Sequence, residues 1–274
     1  MEPVYTSQDH TFVICAYKDS PYLQACMESL AGQAQRSRII LVTSTPSRAI
    51  EAACEHFGIP MHINTTAHHG IAGDWNFGVA CAHSALVTIA HQDDVYKPRY
   101  TADMLQALNR AKAHEPLLYF TNYAELRNGA EQAQNRLLAI KRCMLTPFLS
   151  TRLSRMRWVR KLVLGSGNPI CCPSVTLIQS TCEKLGRNEF FDAEFGSNLD
   201  WQTWLLIAKL PGMFVYNPTI EMCHRIHEGS ETSRLIENQT RDAEDLAMLG
   251  SFWPRPIARM LHVLYKHGQD SNRS

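Results

Sequence analysis

In its first half the chain alternates short β-branched apolar runs with stretches whose apolar residues recur at helical spacing. That alternation demands a mainly parallel sheet with crossover helices. Thr11 to Ala16 (TFVICA) reads as a buried strand. Ser20 and Pro21 follow as a helix start, with Leu23, Cys26, Met27 and Leu30 at helical spacing. Arg38 to Val42 (RIILV) repeats the unit, with Ser47 capping a helix that carries Ile50, Ala53, Cys54 and Phe57 and stops at Gly58. Pro60 to Ile63 is a short third strand, and a Gly-containing turn leads into a helix from Asp74 to His83. Ala85 to Ala90 (ALVTIA) and Leu117 to Thr121 continue the series. Later come a helix over Leu199 to Leu210, two short strands at Met213 to Tyr216 and Ile220 to His224, and a helical tail. Sheets of this kind bind ligands beyond the carboxyl ends of their strands.

At 274 residues, with 45% hydrophobic and 19% charged residues, the chain can bury a substantial core, which excludes disordered and low-complexity classes. Its formal charge of +1 argues against a general nucleic-acid binder. The opening MEPVYTSQDH lacks the basic and apolar regions of a signal peptide, and no apolar run reaches the length of a membrane span. Nine cysteines, an odd number without CxxC spacing, read as reduced core thiols. Together these features lead to the expectation of a cytoplasmic protein.

Four motifs carry chemistry. His91-Gln92-Asp93-Asp94 directly follows the ALVTIA strand, where paired carboxylates either hold a divalent cation or form a turn before Pro98. Gly70-Ile-Ala-Gly73-Asp74-Trp75-Asn76-Phe77-Gly78 has neither dinucleotide-binding nor P-loop spacing. Either Gly73 allows close backbone approach to a ligand at a helix start, with Asp74 or Asn76 facing it, or Asp74 is an N-cap with Trp75 packed into the core. Asp200 and Trp201 open an apolar helix, as a general base and a sugar-stacking platform or as a cap and a core residue. Arg225 and His227, after the last strand, suit phosphate or metal binding, or an ordinary surface role.

The order of these segments, VICAYKDSPYLQACMESL, GIAGDWNFGVACA, VTIAHQDDVYKPRY, GNPICCPS, NLDWQTWLLIAKLPGMFVY and HRIHEGSETS, resembles the family 2 glycosyltransferases over residues 11 to 235. It is most similar to the bacterial members that build capsule and other surface polysaccharides. The resemblance implies a GT-A fold: an α/β, mainly parallel, Rossmann-like central sheet flanked by helices. It divides the chain into a catalytic domain at 1–228 and a helical extension at 229–274. The nucleotide-sugar half is expected at about 1–122 and the acceptor half at 123–228. By resemblance, Ala16, Tyr17, Thr43 and Asp74 line the nucleotide pocket; Asn76, Trp201 and Arg225 are further donor-site candidates from the motifs above. Asp93 matches the metal-binding aspartate, with Asp94 beside it near the donor sugar and His227 as the late histidine on metal or diphosphate. Asp200 matches the base. The implied cofactor is Mn2+ or Mg2+, the donor a nucleotide-diphosphate sugar with UDP as the default, and the acceptor a glycan or lipid-linked glycan. Two positions depart from the family: His91 stands where an Asp is common, and Thr43-Ser44-Thr45-Pro46 replaces an acidic turn. A non-catalytic nucleotide-sugar-binding subunit and a sugar-nucleotide pyrophosphorylase are the alternatives. The latter usually has a Gly-rich basic first loop, which Ala16-Tyr17-Lys18-Asp19 lacks.

The near-neutral charge conceals segregation. Residues 132–182 carry eight basic residues and no acid, and 246–268 carry three more, leaving a net −10 elsewhere. The basic, Trp-containing stretch 151–164 suits an anionic membrane surface, an anionic-acceptor groove or a solvated helix. The tail segment 251–268 suits a second membrane contact, a helix packed on the catalytic domain or a homodimer contact.

Overall fold

The computed structural model describes residues 5–68, 70–193, 196–227 and 240–270. The first βα units are β1 (His10–Ala16), α1 (Leu23–Ala31), β2 (Arg38–Thr43), α2 (Arg48–Phe57), β3 (Met61–Ile63), α3 (Ile71–Ala82) and β4 (Leu86–His91). After β5 (Val95–Tyr96) and α4 (Tyr100–Ala111) come the long β6 (Pro116–Arg127) and the short β7 (Ala130–Gln132). A helical stretch follows, α5 (Arg136–Leu145), α6 (Thr151–Arg155) and α7 (Arg157–Gly165), and then β8 (Val175–Ile178) and α8 (Gln179–Lys184). The chain continues through α9 (Leu199–Ala208), β9 (Met213–Ile226) and the tail helices α10 (Thr240–Gly250) and α11 (Arg255–Asp270).

The strands form one sheet in the order β3-β2-β1-β4-β8-β6-β9-β5, with β7 paired to β6. Strands β1 to β4, β6 and β9 share one direction, while β8, β5 and β7 oppose it. The expected mainly parallel α/β sheet flanked by helices is therefore present, and β6 runs unbroken through the 122/123 division. Both faces are covered, so the central strands are apolar on both sides. Val13, Val42 and Ile89 pack with α3, α7 and α9 on one face, and Phe12, Ile14 and Leu41 with α1, α2 and α4 on the other. Gly78 sets the approach of α3 to the sheet, because a Cβ there would stand 2.5 Å from Val13.

Three boundaries differ from expectation. The helix α1 starts at Leu23 rather than Pro21, and the Ser20 hydroxyl accepts the Tyr22 N–H just before it. The helix α3 starts at Ile71, after Gly70 at φ 90°, so Asp74 lies inside its first turn and is not a cap. The two short strands expected at 213–224 are one strand, β9, whose pairing with β6 shifts register around Thr121 to Tyr123. That irregularity accommodates Pro218, which has no N–H to donate to a regular ladder, and the Asn122 amide donates to the Pro218 carbonyl there.

The tail is packed on the sheet domain. The Trp253 indole N–H donates to the Gly165 carbonyl at 2.7 Å, and Phe252 stacks on Trp201. In the basic stretch, Arg160 is not on the surface. It is fully buried and donates to the carbonyls of Ser154, Ala208, Leu210 and Gly212. The other cations, Arg152, Arg155, Arg157 and Lys161, are exposed together with Leu149, Trp158 and Leu162. Among the described residues no helix is long and apolar enough to cross a membrane.

Candidate active site

Parallel pairing aligns the strand ends: Ala16 lies opposite Thr43, and Cys15 opposite His91. The chain then turns through Gln92, Asp93 and Asp94 into β5, which pairs antiparallel with Met222 and Cys223 of β9. This pairing carries residues 130 to 134 positions apart in sequence to one place. Asp94 is fully buried; its Oδ1 lies 3.0 Å from His224 Nδ1 and accepts the Arg225 N–H at 2.9 Å. His91 Nδ1 lies 3.7 Å from Asp94 Oδ2. The donor atoms of His91, Asp94 and His224 lie within 4.8 Å of one another, close enough to hold a metal ion. Asp94 Oδ2 and His91 Nε2 are buried without a hydrogen-bond partner, which fits a site whose donors await a ligand. Nearer the surface, His227 Nε2 lies 2.9 Å from Asp93 Oδ2, and the Arg225 guanidinium donates to the Asp93 carbonyl while covering the Tyr22 ring at 4.2 Å.

The electrostatics agree with this geometry. Burial alone would raise the Asp93 pKa, but His91, His224 and the hydrogen bond to His227 outweigh it and hold the carboxyl below its usual value. For His224 burial acts to lower the pKa, and the Asp94 and Asp93 carboxylates overcome it, so its pKa is raised. Trp75 stacks on His91 with ring centroids 5.3 Å apart and meets Phe191 edge-on. The imidazole orientation is thereby fixed by packing.

The remaining candidates divide into several groups. Tyr17 is 44% exposed, and its backbone is tied to the Gln92 side chain beside the Asp turn. Asp74 accepts from Ser44 Oγ and Asn64 Nδ2, each at 2.8 Å, so it joins the ends of β2 and β3 to α3. Gly73, which the sequence offered as a place of close ligand approach, instead abuts the His68 carbonyl, 2.2 Å from where a Cβ would stand. Asn76 is engaged with protein, donating to the Phe191 carbonyl and accepting its N–H. The Ala16 and Thr43 side chains are enclosed, and Thr43 Oγ1 accepts the Thr45 N–H.

Asp200 lies in the first turn of α9. Its Oδ1 accepts the Trp201 N–H at 2.7 Å and its Oδ2 accepts from Asn168 Nδ2 at 2.9 Å. Asn168 thus ties Asp200 to the 168–172 segment. Burial raises the thiol pKa values of Cys171 and Cys172, and both Asp94 and Asp200 add to each rise. One stretch of chain therefore lies within electrostatic reach of both carboxylates. Trp201 does not offer its face to a sugar. It is fully buried and donates its indole N–H to the Leu164 carbonyl, because α9 is enclosed by protein nearly all round.

Sequence reasoning did not single out His224 or Asn168. Both stood inside motifs already noticed, His224 two residues from the β9 end and Asn168 in GNPICCPS, but only pairing across the sheet reveals their partners. The expected motif HRIHEGSETS is described as far as His227, and its remainder lies outside the described residues. Two surface hollows of about 410 and 430 Å3, one near Glu51 and Met61 and the other near His83 and Gln179, lie away from this site.

Carboxylates and imidazoles gathered at the carboxyl edge of a mixed sheet, with a further carboxylate in the first turn of α9, are an arrangement suited to group transfer in an α/β fold. Residues 11–164, more than half of the chain, match the family described as glycosyl transferase family 2, so the chain belongs to that family and is a glycosyltransferase. Among solved structures it is similar to S. aureus TarS 1–349 in complex with UDP-GlcNAc, at 11% identity and TM-score 0.63, covering 96% of this chain and 73% of that one. It is also similar to the mannosyltransferase PcManGT from Pyrobaculum calidifontis in complex with GDP-Man and Mn2+, at 14% identity and TM-score 0.61, covering 95% and 70%. These likenesses bear out the GT-A fold. No curated protein sequence matches significantly.

Proposed function

We propose that the protein is an inverting, metal-dependent transferase that moves a sugar from a nucleotide-diphosphate donor, a UDP-sugar by default, to a hydroxyl of a glycan or lipid-linked glycan. The process served is bacterial surface polysaccharide synthesis. The observation that carries this reading is the convergence of Asp93–His227 and Asp94–His224 at one strand edge, with Asp200 sharing the 168–172 segment. The fold neighbours support the donor class, since TarS is seen with UDP-GlcNAc and PcManGT with GDP-Man and Mn2+.

Asp93 and His227 are the part-exposed pair and would hold the cation, with the unpartnered Asp94 Oδ2 and the His91 imidazole of the neighbouring cluster as further donors. Carboxylate and imidazole suit Mn2+, or Mg2+ with a smaller imidazole share. When bound, such a cation supplies Lewis-acid neutralisation of the leaving diphosphate. Beneath this pair, Asp94 and His224 fix the Asp turn against β9, and Tyr17 and Asp74 flank the nucleotide side. Asp200 takes the proton from the acceptor hydroxyl. The hydroxyl oxygen then bonds to the anomeric carbon from the face opposite the diphosphate, the bond from that carbon to the diphosphate oxygen breaks, and the nucleoside diphosphate leaves with the electron pair. Direct displacement from the opposite face inverts the anomeric centre.

The exposed Leu149, Trp158 and Leu162 among Arg152, Arg155, Arg157 and Lys161 support an anionic lipid surface as the place where a lipid-linked acceptor is met. Flotation with anionic liposomes at low and high salt tests that part, and an absence of binding rejects it. The catalytic reading is tested by incubating the protein with UDP-GlcNAc, UDP-glucose and GDP-mannose plus MnCl2. Release of nucleoside diphosphate is expected. Pyrophosphate-dependent exchange would mark a pyrophosphorylase, and neither reaction a binding protein.

A further inference from the structure

The helix that carries Asp200 begins without the usual local cap. Its N-cap residue, Asn198, makes no capping bond to its own helix, although Asn is among the preferred residues for one. The Asn198 amide instead donates to Asp245 Oδ1 at 2.7 Å. The three N–H groups that lead the chain into the helix are met by one acid from the tail. Glu244 Oε1 accepts from Gly196 N–H at 2.8 Å, and Oε2 accepts from Ser197 N–H at 2.8 Å, from Asn198 N–H at 3.0 Å and from the Ser197 hydroxyl. Consecutive backbone N–H groups converging in this way make an anion-binding concavity, and here its occupant is a side chain 46 to 48 residues further along the chain.

The carboxylate fits the place. Burial would raise the Glu244 pKa, but the Ser197 hydroxyl and the three N–H donors bring it below the usual value, so the side chain stays ionised and the contacts are charge-assisted. Asp245 beside it is almost fully buried. Two successive tail acids thus hold residues 196–198, and two residues later comes Asp200, whose own carboxylate is held by Asn168.

We infer that Glu244 is a positioning residue for Asp200: the C-terminal extension sets the backbone from which the base projects and so takes part in transfer without touching substrate. The inference rests on the reading of Asp200 as the base. It also accounts for an acid pair at the head of a helix whose other contacts are largely apolar.

The test uses the full chain with Glu244→Ala and, should that variant fold poorly, Glu244→Gln. Hydrogen–deuterium exchange of amides 196–201 is expected to speed up at least about tenfold, with no change around Asp93. Nucleoside diphosphate release from UDP-GlcNAc, UDP-glucose and GDP-mannose is expected to lose about tenfold or more in kcat, with the donor KM and the affinity for UDP plus MnCl2 unchanged. Trp253→Phe, which loosens the tail at Gly165 instead, serves as the control and should lower Tm while leaving kcat intact. Unchanged exchange at 196–201, or unchanged kcat while Asp200→Asn is inactive, overturns the inference. If Asp200→Asn itself turns over normally, the base assignment fails, and the exchange result still decides whether Glu244 orders the segment.

Discussion

Asp94 and Asp200 both add to the burial-driven rise of the Cys171 and Cys172 thiol pKa values, yet they are held in place by different means. Asp94 belongs to the sheet. The turn that carries it is fixed by β4 on one side and by the β5–β9 ladder on the other, and its partners are a strand histidine and a strand N–H. Asp200 sits on a helix entrance whose supports are side chains from elsewhere: Asn168 from the loop after α7, and Glu244 and Asp245 from the tail. A carboxylate fixed by backbone pairing is hard to move, whereas one fixed by side-chain contacts depends on the packing of two further segments. Under the proposed function, the first arrangement suits a site that must present constant geometry to a diphosphate, and the second makes the acceptor side the one that a change at Glu244 or Asp245 can reach.

The largest effect that separates the two sides is metal removal. EDTA should suppress nucleoside diphosphate release by at least about 100-fold, in line with several kcal/mol of charge stabilisation, and Mn2+ should restore it. An unaffected rate removes the cation from the Asp93–His227 side.

Next comes Trp201. As a core residue stacked on Phe252, its replacement by Ala should cost about 3–5 kcal/mol of stability, read by chemical denaturation. A Trp201→Ala protein of unchanged stability but weakened sugar binding would restore the platform role that its burial contradicts.

The smallest effect lies on β9 at Glu221, three residues before His224. Glu221 is buried there, and burial first, then the hydrogen bond and charge of Asp103, push its carboxyl up to about 7, against the pull of Arg99 and Lys97. Because the folded state holds this proton more tightly than the unfolded chain, the stability it confers is complete below pH 4.5 and is lost as pH rises through about 7. The slope is at most about 1.4 kcal/mol per pH unit. Glu221→Gln should therefore gain Tm relative to the wild type at pH 8 but not at pH 4. Parallel Tm curves for the two proteins would show that the carboxyl ionises freely.

The same contrast governs what could be read from the sequence. TFVICA, RIILV and ALVTIA were legible as strands because parallel strands covered on both faces are apolar throughout. The Asp pair was legible because it follows one of them directly. His224 was not, since nothing local marks it until β9 pairs with β5 and places it on Asp94. β9 itself was broken in two by Asn217-Pro218, a pair that normally ends a strand and here sits in a register shift against β6. Trp201 looked like a ligand platform because aromatic residues serve both purposes, and only the tail, with Phe252 over it, decides between them. Glu244 and Asp245 were invisible as supports of the Asp200 helix, because they lie beyond a segment whose length sets no register. In general, backbone pairing leaves a periodic trace in the sequence, and side-chain bridges between distant segments leave none.

The proposal that labour is divided between a donor side at Asp93 and an acceptor side at Asp200 is tested most directly by comparing two variants in two assays. Affinity for UDP plus MnCl2 is measured by calorimetry, and transfer by release of nucleoside diphosphate in the presence of acceptor. Asp200→Asn should bind UDP as the wild type does while losing transfer by about 10²–10⁴-fold, and Asp93→Asn should lose Mn2+-dependent UDP binding. Wild-type transfer by Asp200→Asn, or undiminished metal-dependent binding by Asp93→Asn, would contradict the account.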